Sequence, residues 1–372
     1  MLAQIVFWIS IAVPVYAYFG YPVVLLVLRL VIHRGVRKAP YEPTVSLLIP
    51  AYNEGDVIEQ KLQNSLALDY PADRLEIVVA SDGSKDATAA IAQEFEDGQR
   101  IRVLAYPVNR GKIATLNDSV RQLRGDIVVF SDAAAFLYRD SVRKLVSNFA
   151  DPQVGAASGR YTVVKADDVN IGKSEDFYWK YETYLKVQES QLASTLGGHG
   201  HLHAIRRELY PFPPKGTIND DYVIPVSVLS KGYRAVYEPE AIVYEEAQEM
   251  TGFGRRVRIM AGNLQQLREM KGLLWPLRPL PLFFFLSHKA SRLLVPFAML
   301  AALLANAFLL ASPFYASLFI AQVAFYLFAV VGTKFQLRPK SLLLPFYFCM
   351  INAATFFGLY HALTSRRRMA WK

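Results

Sequence analysis

The chain opens on an almost unbroken apolar run from Ile5 to Ile32, longer than the roughly 20 helical residues that cross a bilayer core. No basic residue precedes the run and no small-x-small cleavage site interrupts it, so the pattern predicts a retained transmembrane anchor rather than a secretory signal. After Pro43 the texture changes to short apolar runs alternating with amphipathic stretches. Strands are predicted at Val45–Ile49, Leu75–Ala80, near Ile101–Tyr106 and at Asp126–Phe130, with helices at Val57–Leu66, Ala87–Phe95 and Ile113–Leu123 between them. Runs such as LEIVVA and DIVVF show no alternation, as parallel strands covered on both faces require. The predicted fold class is α/β with a Rossmann-like βαβ rhythm.

From about Gly252 the pattern turns basic and amphipathic, and Leu273–Leu286 reads as an interfacial helix lying on a membrane. Three apolar segments follow, near Ala290–Ala311, Phe314–Val331 and Leu342–Leu363. The expected organisation is an anchor at 1–38, a cytosolic domain at 39–251, an amphipathic interfacial segment at 252–287 and a C-terminal transmembrane region at 288–372. Four spans around a cytosolic domain would leave Arg366 to Arg368 outside. Basic residues favour the cytosolic side, so either one C-terminal segment is re-entrant or interfacial, or the tail is an exception.

Composition sharpens this division. The 372 residues are 53% hydrophobic yet 20% charged, which fits apolar ends around an ordinary globular middle. The formal charge of +9 gathers where apolar segments meet water, at Arg34, Arg37 and Lys38, at Arg255 to Arg258, and at Arg366 to Arg368. Anionic lipid headgroups explain that distribution better than nucleic acid does. Cys349 is the only cysteine, which excludes an intrachain disulfide and a thiolate metal cluster. A multi-pass protein of the cytoplasmic membrane, with its catalytic domain facing the cytosol, fits these features. A small-solute transporter fits poorly, because the apolar segments hold few ionisable residues.

The candidate chemistry sits at the predicted strand ends, where ligands bind in open parallel sheets. The first strand runs into Pro50, Asn53 and Glu54, the second into Asp82, and the fourth into Asp132. Any one of these acids could be an ordinary helix cap. Carboxylates facing an anionic nucleotide diphosphate make sense where they contact base and ribose or hold a divalent cation. Lys112 supplies a positive charge near the same edge, unless it is a plain surface lysine.

Here the chain resembles the family 2 glycosyltransferases, particularly the membrane-bound branch that includes cellulose, chitin and hyaluronan synthases. The resemblance covers residues 45 to about 268 and rests on PAYNE at 50–54, SDGSKD at 81–86, NRGKIATLN at 109–117, SDA at 131–133, GGHGHLHAIRREL at 197–209 and NDDYVIPVSVLSKGYR at 219–234. It implies a GT-A type, nucleotide-sugar-binding domain in which Asp82 reads the uracil of a UDP-sugar and Asp132 opens the family's DXD element. It further implies that Asp221 is the general base with Asp220 its neighbouring acid, and that a hexose or N-acetylhexosamine is transferred with inversion. Mg2+ or Mn2+ is the implied cofactor, held by Asp132, although Ala134 replaces the second DXD acid. The family's QXXRW motif appears as Arg255-Arg256-Val257-Arg258-Ile259. It keeps Arg258 to face the diphosphate and loses the tryptophan that helps place the acceptor in polymerising relatives.

His199, His201 and His203 alternate as on one strand face, about 6.7 Å apart. Zinc is one reading. The glycines at 197, 198 and 200 instead suggest a tight loop that resembles the family's acceptor-side element, with His199 and Gly200 lining the acceptor. Glu175, Glu182 and Glu189 recur every seven residues beside Tyr178, Trp179, Tyr181 and Tyr184, which fits a sugar-facing aromatic helix and a core-packing helix equally. The leading expectation is synthesis of a β-linked exopolysaccharide from a UDP-sugar on a glycan or lipid acceptor, with an export partner unidentified. The alternatives are a single glycosylation of a lipid or polyprenyl-linked acceptor, or a non-catalytic nucleotide-sugar-binding membrane protein.

Overall fold

The computed structural model describes residues 1–164, 173–246, 253–269, 271–274, 277–332 and 344–364. Helix α1 (Leu2–Val15) passes through a π-turn at Tyr16–Gly20 into α2 (Tyr21–Val31), giving one continuous apolar run of 30 residues. The chain then enters the globular domain through β1 (Val45–Ala51), α3 (Ile58–Leu66), β2 (Leu75–Asp82), α4 (Thr88–Glu94), β3 (Ile101–Tyr106), α5 (Lys112–Val120) and β4 (Ile127–Phe130). All seven agree with the predicted βαβ rhythm, with the ends shifted by a few residues.

The sheet continues with β5 (Phe136–Leu137), α6 (Ser141–Val146), β6 (Val154–Val164), α7 (Lys173–Leu192), β7 (His203–Arg206), α8 (Asp220–Ser230) and β8 (Arg234–Glu246). Its eight strands run in the order β3-β2-β1-β4-β7-β6-β8-β5. Strands β1 to β4 are mutually parallel, as their solid apolar runs require, and β1, β2 and β4 are buried throughout. Strand β7 pairs antiparallel with both β4 and β6, and β5 pairs antiparallel with β8. The sheet is therefore mixed. Two successive reversals return β6 and β8 to the direction of β4, so every strand but β7 and β5 ends at one edge of the sheet. Apolar clusters cover both faces.

Tyr21 and Leu25 of α2 are buried in the same cluster as Leu48, Val78 and Val128 of the sheet, so the first apolar helix is part of the domain's core. Beyond the sheet come α9 (Phe253–Glu269), α10 (Lys271–Leu274), α11 (Pro279–Phe284), a second π-turn at Phe285–Ala290, α12 (Ser291–Ala307), α13 (Pro313–Gly332) and α14 (Leu344–Thr364). Leu2–Val31, Pro279–Ala307 and Pro313–Val331 are long and apolar enough to cross a membrane, and Phe348–Tyr360 is a shorter apolar helix. The interfacial stretch and the first C-terminal apolar segment join in one helical run from Pro279. Helix α14 packs on α9 so closely that a Cβ on Gly358 would lie 2.8 Å from Met260 Cβ. Arg366 to Arg368 and the side chains of Arg255, Glu175 and Tyr178 lie outside the described residues.

Candidate active site

The site is assembled where β1, β2 and β4 end. The loops after β1 and β2 are laced together: Asn53, in the left-handed region at φ 55°, accepts from the Lys85 amide (2.9 Å), and its own N–H donates to Ser84 Oγ (3.1 Å). Gly83 permits a closer approach still, since at φ 66° a Cβ would come within 2.4 Å of the Asn109 nitrogen. Pro50 lies within β1, paired with Ala80. Glu54 is half-buried, and burial, with Asp132, Asp86 and Glu245 nearby, pushes its carboxyl up to about 7.

Asp82 is fully buried, and its carboxylate accepts the backbone N–H groups of Arg110 (3.0 Å) and Gly111 (2.8 Å). That grip fixes the turn preceding α5, whose first residue is Lys112. Lys112 Nζ donates to Asp132 Oδ1 at 2.9 Å and lies 3.1 Å from Asp220 Oδ2 as an ion pair. Burial opposes its charge, but the two aspartates hold the ammonium above the ordinary lysine range. Burial likewise opposes ionisation of Asp132, and Lys112 and His201 overcome it, so that carboxyl sits below its usual value. Lys112 is thus a bridge at the centre of the site, and the plain-surface reading fails.

Asp220 and Asp221 open α8, where a helix start favours negative charge. Asn219, just before them, donates to Asn263 Oδ1 (3.0 Å) on α9, and Gln265 of α9 accepts from the Ile218 N–H (3.0 Å). Helix α9, which carries a half-buried Arg258, therefore clasps the segment that presents the two acids. Asp221 is pushed up, first by burial and then by Asp220, while Lys186, His203 and Lys112 pull it back. The acid with the raised value is the one not bonded to Lys112, which suits a proton acceptor.

Among the three histidines only His203 lies on a strand, stacked on Phe130. His199 precedes it in a tight turn closed by a bridge to Leu202, and Gly197 at φ 100° makes that turn possible. The His199 ring is 4% exposed, packed against Trp179 and Tyr237, and burial drives it well below the ordinary imidazole value. Gly200 sits between the two acids: a Cβ there would lie 3.7 Å from Asp132 Oδ2 and 3.9 Å from Asp221 Cβ. Asp132 and Asp221 therefore approach one another across a residue with no side chain.

Two lysines escaped notice in the sequence. Lys61 is completely buried, bonds Ser131 Oγ (2.7 Å) and the Ala135 carbonyl, and is brought down by burial to about 7. It brackets the Asp132 loop from below. Lys186 of α7 donates to the Gly198 carbonyl (2.8 Å), while the Gly198 N–H donates to the Asp221 carbonyl (2.6 Å). Burial, reinforced by Lys289, brings Lys186 down to about 8. A signal existed for the first: Ile58, Lys61, Leu62 and Ser65 share the buried face of α3.

Residues 46–211 match the family described as "Glycosyl transferase family 2". This domain is a family 2 glycosyltransferase domain. The chain is 26% identical over 230 residues to the poly-beta-1,6-N-acetyl-D-glucosamine synthase of Staphylococcus aureus (strain MSSA476), covering 60% of this chain and 55% of that one. It is 31% identical over 242 residues to the probable glycosyltransferase YdaM of Bacillus subtilis (strain 168), covering 59% and 55%. The matches span about half the length of these curated relatives. Among solved structures it is similar to a mannosyltransferase from Pyrobaculum calidifontis in complex with GDP-Man and Mn2+, at TM-score 0.73 and 26% identity, over 97% of this chain and 100% of that one.

No group of three or more His, Cys, Asp or Glu side chains able to hold a metal ion occurs among the described residues. Asp132 does fit one cation contact, because Lys112 takes Oδ1 and Oδ2 faces the volume beside Gly200. The fit is that of a single protein ligand, not of a closed cage.

Proposed function

We propose that the protein is an inverting glycosyltransferase, moving a hexose or N-acetylhexosamine from a UDP-sugar to an acceptor held at the membrane, in synthesis of a β-linked exopolysaccharide. The observation that carries this reading is the convergence of Asp132 and Asp221 on the space beside Gly200, with Lys112 tying Asp132 to Asp220. Asp221 removes the acceptor hydroxyl proton as that oxygen bonds the anomeric carbon. The bond from that carbon to the diphosphate breaks, and its electron pair leaves with the nucleotide. Lys112 and Arg258 face the charge that develops on the departing diphosphate, a largely electrostatic task. Asp82 acts by holding the turn that delivers Lys112, beside any contact it makes with the base. Mg2+ or Mn2+, bound by Asp132 Oδ2 and completed by donor phosphates and water, would supply further neutralisation of the leaving group.

The topology follows the same reading. With the family 2 domain cytosolic, crossings at Leu2–Val31, Pro279–Ala307 and Pro313–Val331, and α14 docked on α9, return the basic tail to the cytosol and satisfy the charge rule. A second donor is favoured by one finding, the end-to-end likeness to a mannosyltransferase solved with GDP-Man. Incubating the purified full chain with labelled UDP-GlcNAc, UDP-glucose and GDP-mannose, then sizing the products, separates the two. Transfer from a UDP-sugar supports the first reading, transfer from GDP-mannose alone selects the second, and hydrolysis or transfer from none rejects both.

A further inference from the structure

A cavity remote from this chemistry has a distinct electrostatic character. It lies where the segment after α2 folds back on the domain, has a volume of about 480 Å³, and is lined by His33, Arg34, Arg37 and Arg234 with Asp151 as its acid. Arg234 begins β8 and Asp151 lies just before β6, at the strand ends opposite the catalytic edge. Strand β6 alone spans 11 residues, so the cavity is on the order of 30 Å from the site beside Gly200 at ~3.3 Å per residue.

The lining is held in place by its backbone. The Arg34 N–H donates to the Gln191 carbonyl (2.8 Å), the Arg37 N–H donates to Asp151 Oδ2 (3.3 Å), and Lys38 pairs with Glu238 at 2.5 Å. Arg234, 9% exposed, gives its guanidinium to the carbonyls of Arg34, Gly35, Ser190 and Ala193. Carbonyls solvate a guanidinium without cancelling its charge. Asp151 spends both oxygens on backbone N–H groups, of Arg37 and Gln153. Among the described residues, none of the three arginines has a carboxylate within ion-pair distance. Three guanidinium groups against one already engaged carboxylate leave the cavity short of negative charge.

We propose that this cavity binds the phosphate of an anionic lipid headgroup whose acyl chains lie along the outer face of α2. That face stays apolar and uncovered to its last turn, with Val23 58%, Val27 56%, Leu30 85% and Val31 86% exposed. A stripe of this size facing water would be unusual. The helical run of 30 residues extends ~45 Å against a hydrocarbon core of ~30 Å, so its end lies in or beyond the headgroup layer unless the helix tilts strongly. Arginine suits the task, since its planar fork bonds phosphate bidentately. The inference is independent of the glycosyl-transfer reading, because it uses no residue of the catalytic edge.

The test uses the purified full chain in detergent, with phosphatidylglycerol, phosphatidylcholine or inorganic phosphate added and bound molecules counted by native mass spectrometry. Retention of phosphatidylglycerol over phosphatidylcholine is expected, falling about thirtyfold in Arg34→Gln/Arg37→Gln on the loss of two interfacial cations. Both arginines are exposed, so the unfolding midpoint should hold; Asp151→Asn should strengthen retention and gives a second variant of opposite sign. Equal retention of phosphatidylglycerol by wild type and double variant overturns the proposal. Displacement of the lipid by inorganic phosphate, or no preference between lipids together with capture of an acidic protein through the same arginines, overturns it in favour of those occupants.

Discussion

Two sets of carboxylates in this molecule, one buried and one half-buried, are shifted in opposite directions. On α7, Glu182 and Glu189 are enclosed by the membrane helices: His288 Nδ1 lies 2.6 Å from Glu189, Tyr21 Oη donates to it at 2.7 Å, and Arg292 bonds Glu182. Burial opposes their ionisation, yet Arg292 and His288 hold Glu182, and His288 and Tyr21 hold Glu189, below the usual carboxylate value. At the catalytic edge Glu54 and Asp221 are raised, because burial and neighbouring acids act on them with less compensation. The first cluster meets its charge within the protein and fastens α7 to α2 and the π-turn before α12. The second is less compensated, which suits the proposed active site, since perturbed carboxylates gather at such sites.

The sharpest break between the two comes from Asp221→Asn. It removes the proposed proton acceptor at nearly constant shape and should cut kcat about a thousandfold, with nucleotide affinity and unfolding midpoint close to wild type. A variant that turns over at the wild-type rate removes Asp221 from the base role. The mirror experiment is Glu189→Ala, which strands His288 beside a fully buried vacancy and should cost about 3 kcal/mol of stability. Thermal unfolding in detergent reads that loss, and nucleotide affinity of the folded fraction should be unchanged. Lost affinity without lost stability would mean the α7 cluster belongs to the active site.

Lys61→Met tests a residue between these extremes. It keeps the volume on the buried face of α3 but withdraws both hydrogen bonds from the Ser131–Ala135 loop that bears Asp132. A fall of about tenfold in kcat/KM is expected, equal to about 1.4 kcal/mol, with Mn2+ binding in the presence of nucleotide weakened alongside it by calorimetry. Unchanged Mn2+ binding would show that Lys61 serves packing alone.

Much of this contrast was legible before the fold. The acids at 54, 82 and 132 announce themselves by following solid apolar runs, because a parallel strand must stop where its ligand begins. The alternation of His199, His201 and His203 hinted at a strand, but the four residues of β7 have too little periodicity to declare its direction, and with it went the reversal that makes the sheet mixed. Lys61 and Lys186 were hidden for another reason. Each is a cation on a buried helix face whose acceptors, Ala135 and Gly198, lie on distant loops, and tertiary contact alone reveals such a pairing.

The smallest expected effect tests the sign of the contrast. Because Glu54 is raised from its ordinary 4.5 to about 7, the folded protein keeps a proton that the unfolded chain releases across that window. The stability linked to this proton is complete below about 4.5 and is lost as pH rises through about 7. For Glu182 and Glu189, lowered in the fold, the sign reverses: their contribution is present above the ordinary value and is lost as pH falls through the depressed one. Glu54→Gln should therefore match wild type in acid and become the more stable protein by pH 8, with solvent screening at this half-buried side chain keeping the gain below about 1 kcal/mol. Unfolding midpoints of both proteins across the window decide it. Parallel curves would mean that neighbouring groups relieve Glu54 in solution, and that the catalytic edge is as internally compensated as the cluster on α7.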